Sequence, residues 1–96
     1  MFQIIAVHHA VPEHRDAFLA FCHRVIDAVK DADGCLEFSV WGAPDGPTLY
    51  GFSRWTSPEH FQAAMPTIMS LAPDRKPEWS SREDDVLPML TGSPGA

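Results

Sequence analysis

The segment FQIIAVHH, Phe2 to His9, limits what this chain can become more than any other stretch. In an extended strand successive side chains alternate, so Phe2, Ile4, Ala6 and His8 face one way and Gln3, Ile5, Val7 and His9 the other. Both sets are largely apolar, and such a strand has to be covered from both sides. The 96 residues provide for one domain with a modest core. Yet 45% of them are hydrophobic, including six Phe and three Trp, more apolar surface than a monomer of this size readily hides. Association with another copy is therefore expected.

The remaining segments cover one side only. Pro12 suits a first helical turn, and Phe18, Phe21, Cys22, Val25, Ile26 and Val29 then recur at the spacing of a helix with one apolar face. Gly34 offers the left-handed stop that ends such a helix. CLEFSVW alternates Leu36, Phe38 and Val40 against Glu37, Ser39 and Trp41 as a second strand. GAPDGP turns the chain, and Thr48 to Trp55 returns antiparallel as a third strand. Ser57 is a helix N-cap, with Pro58 at the first helical position and Glu59 near the positive end of the dipole. Pro66 lacks the N–H that continues the ladder, so a kink or a restart is expected before TIMSLA. PDRKPEWSSRED reads as loop, DVLPML as a short last strand whose Pro88 belongs at an edge or bulge, and TGSPGA as a frayed tail.

The order strand, helix, strand, strand, helix, strand predicts an α+β, ferredoxin-like βαββαβ fold, an antiparallel sheet with two helices on one face. One domain is expected over residues 1–90, followed by a flexible tail over 91–96. The uncovered apolar face predicts a homodimer that packs sheet against sheet.

Charge and motif content narrow the partners. A formal net charge of -6, with no stripe of Lys and Arg, argues against nucleic acid. MFQIIAVHHA has neither a basic leader nor an apolar run of membrane-spanning length, so a cytoplasmic protein without a membrane partner is expected. Cys22 lies among apolar helix residues and Cys35 follows Gly34, which predicts two buried thiols rather than a disulfide. No HxH, HExxH or paired Cys/His spacing occurs, and His8 or His9 with Glu37 makes no ligand pattern, so no metal is expected. No glycine-rich turn follows a strand, so no Rossmann-type nucleotide or flavin site is expected. The serines sit in no nucleophile elbow, and Cys22 has no basic activator. A cofactor is accordingly not expected.

Gly34-Cys35-Leu36 after the amphipathic helix, the aromatic Phe38 beyond it, and Trp55 immediately before the TSPEHF helix start resemble the antibiotic biosynthesis monooxygenase family of the dimeric α+β barrel superfamily. The resemblance spans about Phe2 to Leu90. It implies the fold above and several chemistries, because the superfamily includes cofactor-free oxygenases of aromatic polyketides, quinol oxidases, heme-degrading enzymes and isomerases. Heme-degrading relatives place an Asn on the first strand and an iron-ligating His about one turn beyond the position of His60. This chain has no Asn, and the ligand position falls near Ala64 and Met65, so heme degradation ranks low. Many relatives carry a Glu two residues before the Trp, where this chain has Ser53.

Trp55 shares a strand face with Leu49, Gly51 and Ser53, where it plugs the strand-to-helix corner. The resemblance adds a second role, its N–H donating to a bound substrate oxygen. His8 and His9 face opposite ways, so one of them can address a given cavity, and imidazole is a side chain suited to act as a base near neutrality. His14, His23 and His60 fall on or near polar helix faces and are read as solvated. A cavity between sheet and helices is expected to be lined by Phe21, Phe38, Phe61 and Met65, with Tyr50 also touching substrate. The candidate catalytic set is Trp55, His9, His8 and Arg54.

The function expected is a cofactor-independent monooxygenase or oxidase that converts a polycyclic phenol, anthrone or quinol to a quinone with dioxygen. A His removes the proton, the anion reduces dioxygen, and Trp55 N–H or Arg54 holds the oxyanion. The alternative is a non-catalytic dimeric domain that binds a small aromatic ligand or serves assembly. Ser53 in place of Glu and the missing second-helix His favour that alternative.

Overall fold

The computed structural model describes residues 1–90, and the expected tail lies outside the described residues. Strand β1 spans Phe2–His8 and leads through a short 3₁₀ turn, Pro12–His14, into helix α1, Arg15–Val29. Strands β2, Cys35–Gly42, and β3, Leu49–Trp55, form a hairpin before helix α2, Pro58–Leu71. Two further 3₁₀ turns, Ala72–Asp74 and Pro77–Trp79, precede strand β4, Asp85–Leu90. The sheet order is β2-β3-β1-β4, with every neighbouring pair antiparallel. This is the ferredoxin-like α+β arrangement that the order of elements predicts. Pro88 sits on β4, an edge strand, where a missing ladder donor is tolerated.

Register fixes which residues share a face. Phe2, Ile4, Ala6 and His8 stand opposite Trp55, Ser53, Gly51 and Leu49, and this face looks toward the helices. Helix α1 buries Phe18, Phe21, Cys22, Val25 and Val29 against it and leaves Asp16, His23, Arg24 and Asp27 in water. Trp55, Phe18, Leu49 and Val29 are fully buried, each contributing roughly 1.5–3 kcal/mol of hydrophobic stabilisation.

The helix ends differ from expectation in two places. Helix α1 stops at Val29 with Lys30 as its C-cap, so Gly34 is not its terminator. Gly34 instead opens the entry to β2 with φ +80, and a Cβ there would overlap the ring of His60. His60 is half-buried rather than fully solvated, held by a 2.7 Å hydrogen bond between its Nδ1 and the Oγ of Ser57. Ser57 also accepts the backbone N–H of His60 as N-cap of α2. No restart occurs at Pro66, because α2 runs through it without a break. Pro66 lies on the exposed side, where water can satisfy the carbonyl it releases, while half-buried Phe61, Met65 and Ile68 and buried Ala64 hold the inner side in place.

Among the described residues, nothing covers the outer face of the sheet. Trp41 is 63% exposed and Leu87 52%, beside half-buried Ile5, Val7 and Phe52. Two ion pairs share this face, His9 with Asp85 at 2.9 Å and Arg54 with Glu37 at 3.4 Å.

Candidate functional site

A cavity of about 440 Å³ lies between the inner face of the sheet and the two helices. Its floor carries Ile4, Ala6 and His8 from β1, Gly51 and Ser53 from β3, and Phe38 and Val40 from β2. Phe18, Phe21 and Cys22 of α1 form one wall, and Phe61, Met65 and Ile68 of α2 the other. Apart from Ser39 and Ser53, polar character gathers at one corner, where His8 meets Arg75 and Asp84.

Arg75, just past the first of the two late 3₁₀ turns, donates from Nη1 and Nη2 to the two oxygens of Asp84 at 2.7 Å each, a forked pair. Its Nη2 also donates to Ser80 Oγ at 3.1 Å, and its guanidinium stacks 4.5 Å above the ring of Phe18. Nδ1 of His8 approaches Asp84 Oδ2 to 3.0 Å, an ion-pair distance but off the line of a hydrogen bond. Burial pushes the Asp84 carboxyl up, yet the bonds from Arg75 and the contact and charge of His8 outweigh it. The carboxyl is held well below the usual carboxylate range. The other ring nitrogen of His8, Nε2, lies 3.4 Å from where a Cβ on Gly51 would stand, so it borders the cavity floor. An imidazole so placed can take a proton at Nε2 while an ionised carboxylate stabilises the imidazolium. The Cys22 thiol in the wall is pushed up to about 11, chiefly by burial, so it stays protonated and behaves as an apolar group.

Of the residues singled out from sequence, His8, Phe21, Phe38, Phe61 and Met65 meet at this cavity. His9, Arg54 and Tyr50 do not, because they project from the opposite face of the sheet. Strand alternation explains this: on β3 the inner positions are 49, 51, 53 and 55, so 50 and 54 must point outward. Trp55 is fully buried and packs edge-on against Phe38 and Phe61, with centroids at 6.4 and 5.5 Å, behind the cavity wall rather than in it. Its Nε1–H is buried with no hydrogen-bond partner among the described residues. Both cysteines are free. Arg75 and Asp84 are the residues that sequence reasoning missed. They lie in a segment without periodicity, and only the pairing of β4 with β1 brings them to His8.

The family model for antibiotic biosynthesis monooxygenases matches residues 1–67. The chain belongs to this family. The match covers β1 to β3 and much of α2, whereas Arg75 and Asp84 lie beyond it. Solved structures with similar folds include the Mycobacterium tuberculosis protein Rv0793, at 21% identity and a TM-score of 0.83 over 99% of this chain and 98% of that one. A structure described as an antibiotic biosynthesis monooxygenase aligns at 17% identity and 0.83, over 97% of this chain and 100% of its own. A conserved protein of Methanosarcina mazei aligns at 16% and 0.85, over 95% and 92%. At such identities the likeness establishes the fold. No curated protein matches the chain. Among the described residues, no helix is long and apolar enough to cross a membrane, and no three His, Cys, Asp or Glu converge as metal ligands.

Proposed function

We propose that this antibiotic biosynthesis monooxygenase family member is a cytoplasmic homodimer whose cavity oxidises a polycyclic phenol or anthrone with dioxygen, the substrate supplying the electrons. The observation that carries the proposal is His8, with Nε2 on the floor of an apolar cavity and Nδ1 beside an ionised carboxylate. A base with a charged partner in an apolar cavity suits removal of a weakly acidic proton. His8 Nε2 takes the proton from the substrate, and the resulting anion passes one electron to dioxygen. The radical and superoxide combine through a new C–O bond, and the peroxide takes up a proton. Loss of the second hydrogen from that carbon, with cleavage of the O–O bond, yields the quinone carbonyl and water. An anthrone plus dioxygen thus becomes an anthraquinone plus water.

Trp55 enters the proposal as the corner plug, its fully buried indole packing against Phe38 and Phe61 from behind the cavity wall. The dimer is supported by Trp41, Tyr50 and Leu87 on the uncovered sheet face, an apolar surface that a second sheet would bury. Sedimentation at micromolar concentration tests the dimer, and a well-folded monomer would remove it. Oxygen uptake and quinone absorbance with a panel of phenols and anthrones test the chemistry. Consumption of at least one member well above its autoxidation is expected. If none is consumed, a non-catalytic dimer that binds an aromatic ligand replaces this reading.

A further inference from the structure

Besides the Cys22 thiol, five polar side chains line the cavity, and four of them are engaged. Arg75 and Asp84 bond each other through the 2.7 Å fork, and Arg75 donates to Ser80 as well. Ser39 Oγ accepts the indole N–H of Trp41 at 2.9 Å and lies 3.5 Å from a carboxylate oxygen of Glu37. His8 turns Nδ1 to Asp84 and borders the floor with Nε2. The fifth is Ser53. It is 5% exposed and lines the cavity, yet among the described residues no group hydrogen-bonds its Oγ.

Nothing in the fold calls for a hydroxyl at this position. Ser53 lies in the interior of β3, between Ile4 of β1 and Phe38 of β2. Such neighbours suit Ala or Val, and a buried hydroxyl that no partner satisfies destabilises the folded chain. The unpaired N–H of Trp55 is a different case, because the indole does not line the cavity. A free hydroxyl on a cavity wall fits a partner that enters the cavity.

Register sets this hydroxyl beside the base. Gly51, the next inward position on β3, carries no side chain, and His8 Nε2 lies 3.4 Å from where a Cβ on Gly51 would stand. His8 itself is opposite Leu49, so its ring reaches Gly51 from the side away from Ser53. Inward positions two apart on a strand are separated by about 7 Å. One oxygen hydrogen-bonded to both groups, at about 2.8 Å from each, would require them to be within about 6 Å. Two oxygens on one ligand span the gap.

We infer that Ser53 is a specificity-determining residue, and that the ligand of this cavity carries two oxygens, a hydroxyl that His8 Nε2 addresses and a second hydroxyl or carbonyl that Ser53 Oγ holds. The inference rests on the function proposed above only for the His8 end. It adds a requirement which that function does not contain, because the second contact fixes which ring position of the ligand meets the base.

The test is anaerobic calorimetric titration of the full chain, wild type and Ser53→Ala, with 2-naphthol and with 1,6-, 2,6- and 2,7-dihydroxynaphthalene, each protein also being melted. Wild type is expected to bind at least one diol about fivefold or more tightly than 2-naphthol, the net worth of one hydrogen bond. Ser53→Ala should bind 2-naphthol within roughly twofold of wild type and lose the preference, since the second hydroxyl then enters an apolar cavity without a partner. Its melting temperature should equal or exceed that of wild type. If wild type prefers no diol over 2-naphthol, or if the preference survives in Ser53→Ala, the inference is overturned. A clearly lower melting temperature or a failure of Ser53→Ala to fold also overturns it, because the hydroxyl would then serve the fold itself. If none of the four compounds binds wild type, Ser53 loses its assigned role, whereas oxygen uptake with the phenol and anthrone panel decides the oxidation separately. If the diol preference behaves as expected but no panel member is oxidised, Ser53 stands as a ligand contact and the oxidation does not.

Discussion

Asp84→Asn keeps the shape of the side chain and one acceptor oxygen while removing the charge from the polar corner. Asp84 accepts two hydrogen bonds of 2.7 Å from Arg75, and its Oδ2 lies 3.0 Å from His8 Nδ1. The side chains of Arg75 and Asp84 are only 28% and 18% exposed, so water does not screen the pair as it would at the surface. Losing one charge-assisted bond in this setting costs about 2 kcal/mol. In a domain of this size that lowers the melting temperature by roughly 10 °C. The pH dependence follows from the lowered folded-state pKa of Asp84. A carboxyl whose pKa is lower folded than unfolded contributes its stability fully above about pH 4 and loses it as pH falls through the folded value. Asn has no such titration. The gap between wild type and Asp84→Asn should therefore be full at neutral pH and close progressively in acid, as followed by melts in circular dichroism at steps from neutral pH into acid. A gap of equal size in acid and at neutral pH, or none at neutral pH, would refute the reasoning that the charge on Asp84 holds this corner together.

Trp55→Phe removes a buried donor that has no partner along with part of a packed indole, so stability should fall by only about 1–2 kcal/mol. Oxygen uptake should stay near wild type, because the indole lies behind the cavity wall and does not line it. A fall in turnover of more than about tenfold, the effect of a lost oxyanion donor, would show instead that its N–H reaches the substrate. Gly34→Ala should destabilise by roughly 2–3 kcal/mol in urea titration, because the new Cβ meets both a left-handed backbone and the His60 ring. A loss below about 0.5 kcal/mol would mean that His60 does not pack there as described.

Much of the fold is legible in the sequence because local signals agree. Alternation marks β1 to β3, three-and-four spacing marks α1, and Ser57 with Pro58 marks the start of α2. Pro66 starts no new helix because its local cost is outweighed by the packing of α2, a tertiary effect that propensity does not contain. The site is legible in part. Phe21, Phe38, Phe61 and Met65 follow from apolar periodicity, and Tyr50 and Arg54 could have been excluded by the same alternation that groups Trp55 with Leu49, Gly51 and Ser53. Alternation separates His8 from His9 without saying which of two apolar faces the helices take. Arg75 and Asp84 left no signal, since their meeting with His8 depends on pairing between the two ends of the described chain. The unpaired hydroxyl of Ser53 likewise becomes visible only once the fold shows which groups surround it.

The most direct test of the proposed oxidation is the rate of oxygen consumption by wild type, His8→Ala and His9→Ala on the best substrate of the panel, at matched foldedness and oligomeric state. The two histidines are adjacent in sequence and face opposite sides of the sheet, so each controls for the other. If His8 is the base, His8→Ala should lose about 10²-fold or more, the usual contribution of a positioned general base, while His9→Ala stays within roughly threefold of wild type. Wild-type oxygen consumption by a folded His8→Ala, or an equal loss in His9→Ala, would contradict the assignment of the cavity and its histidine as the site of oxidation.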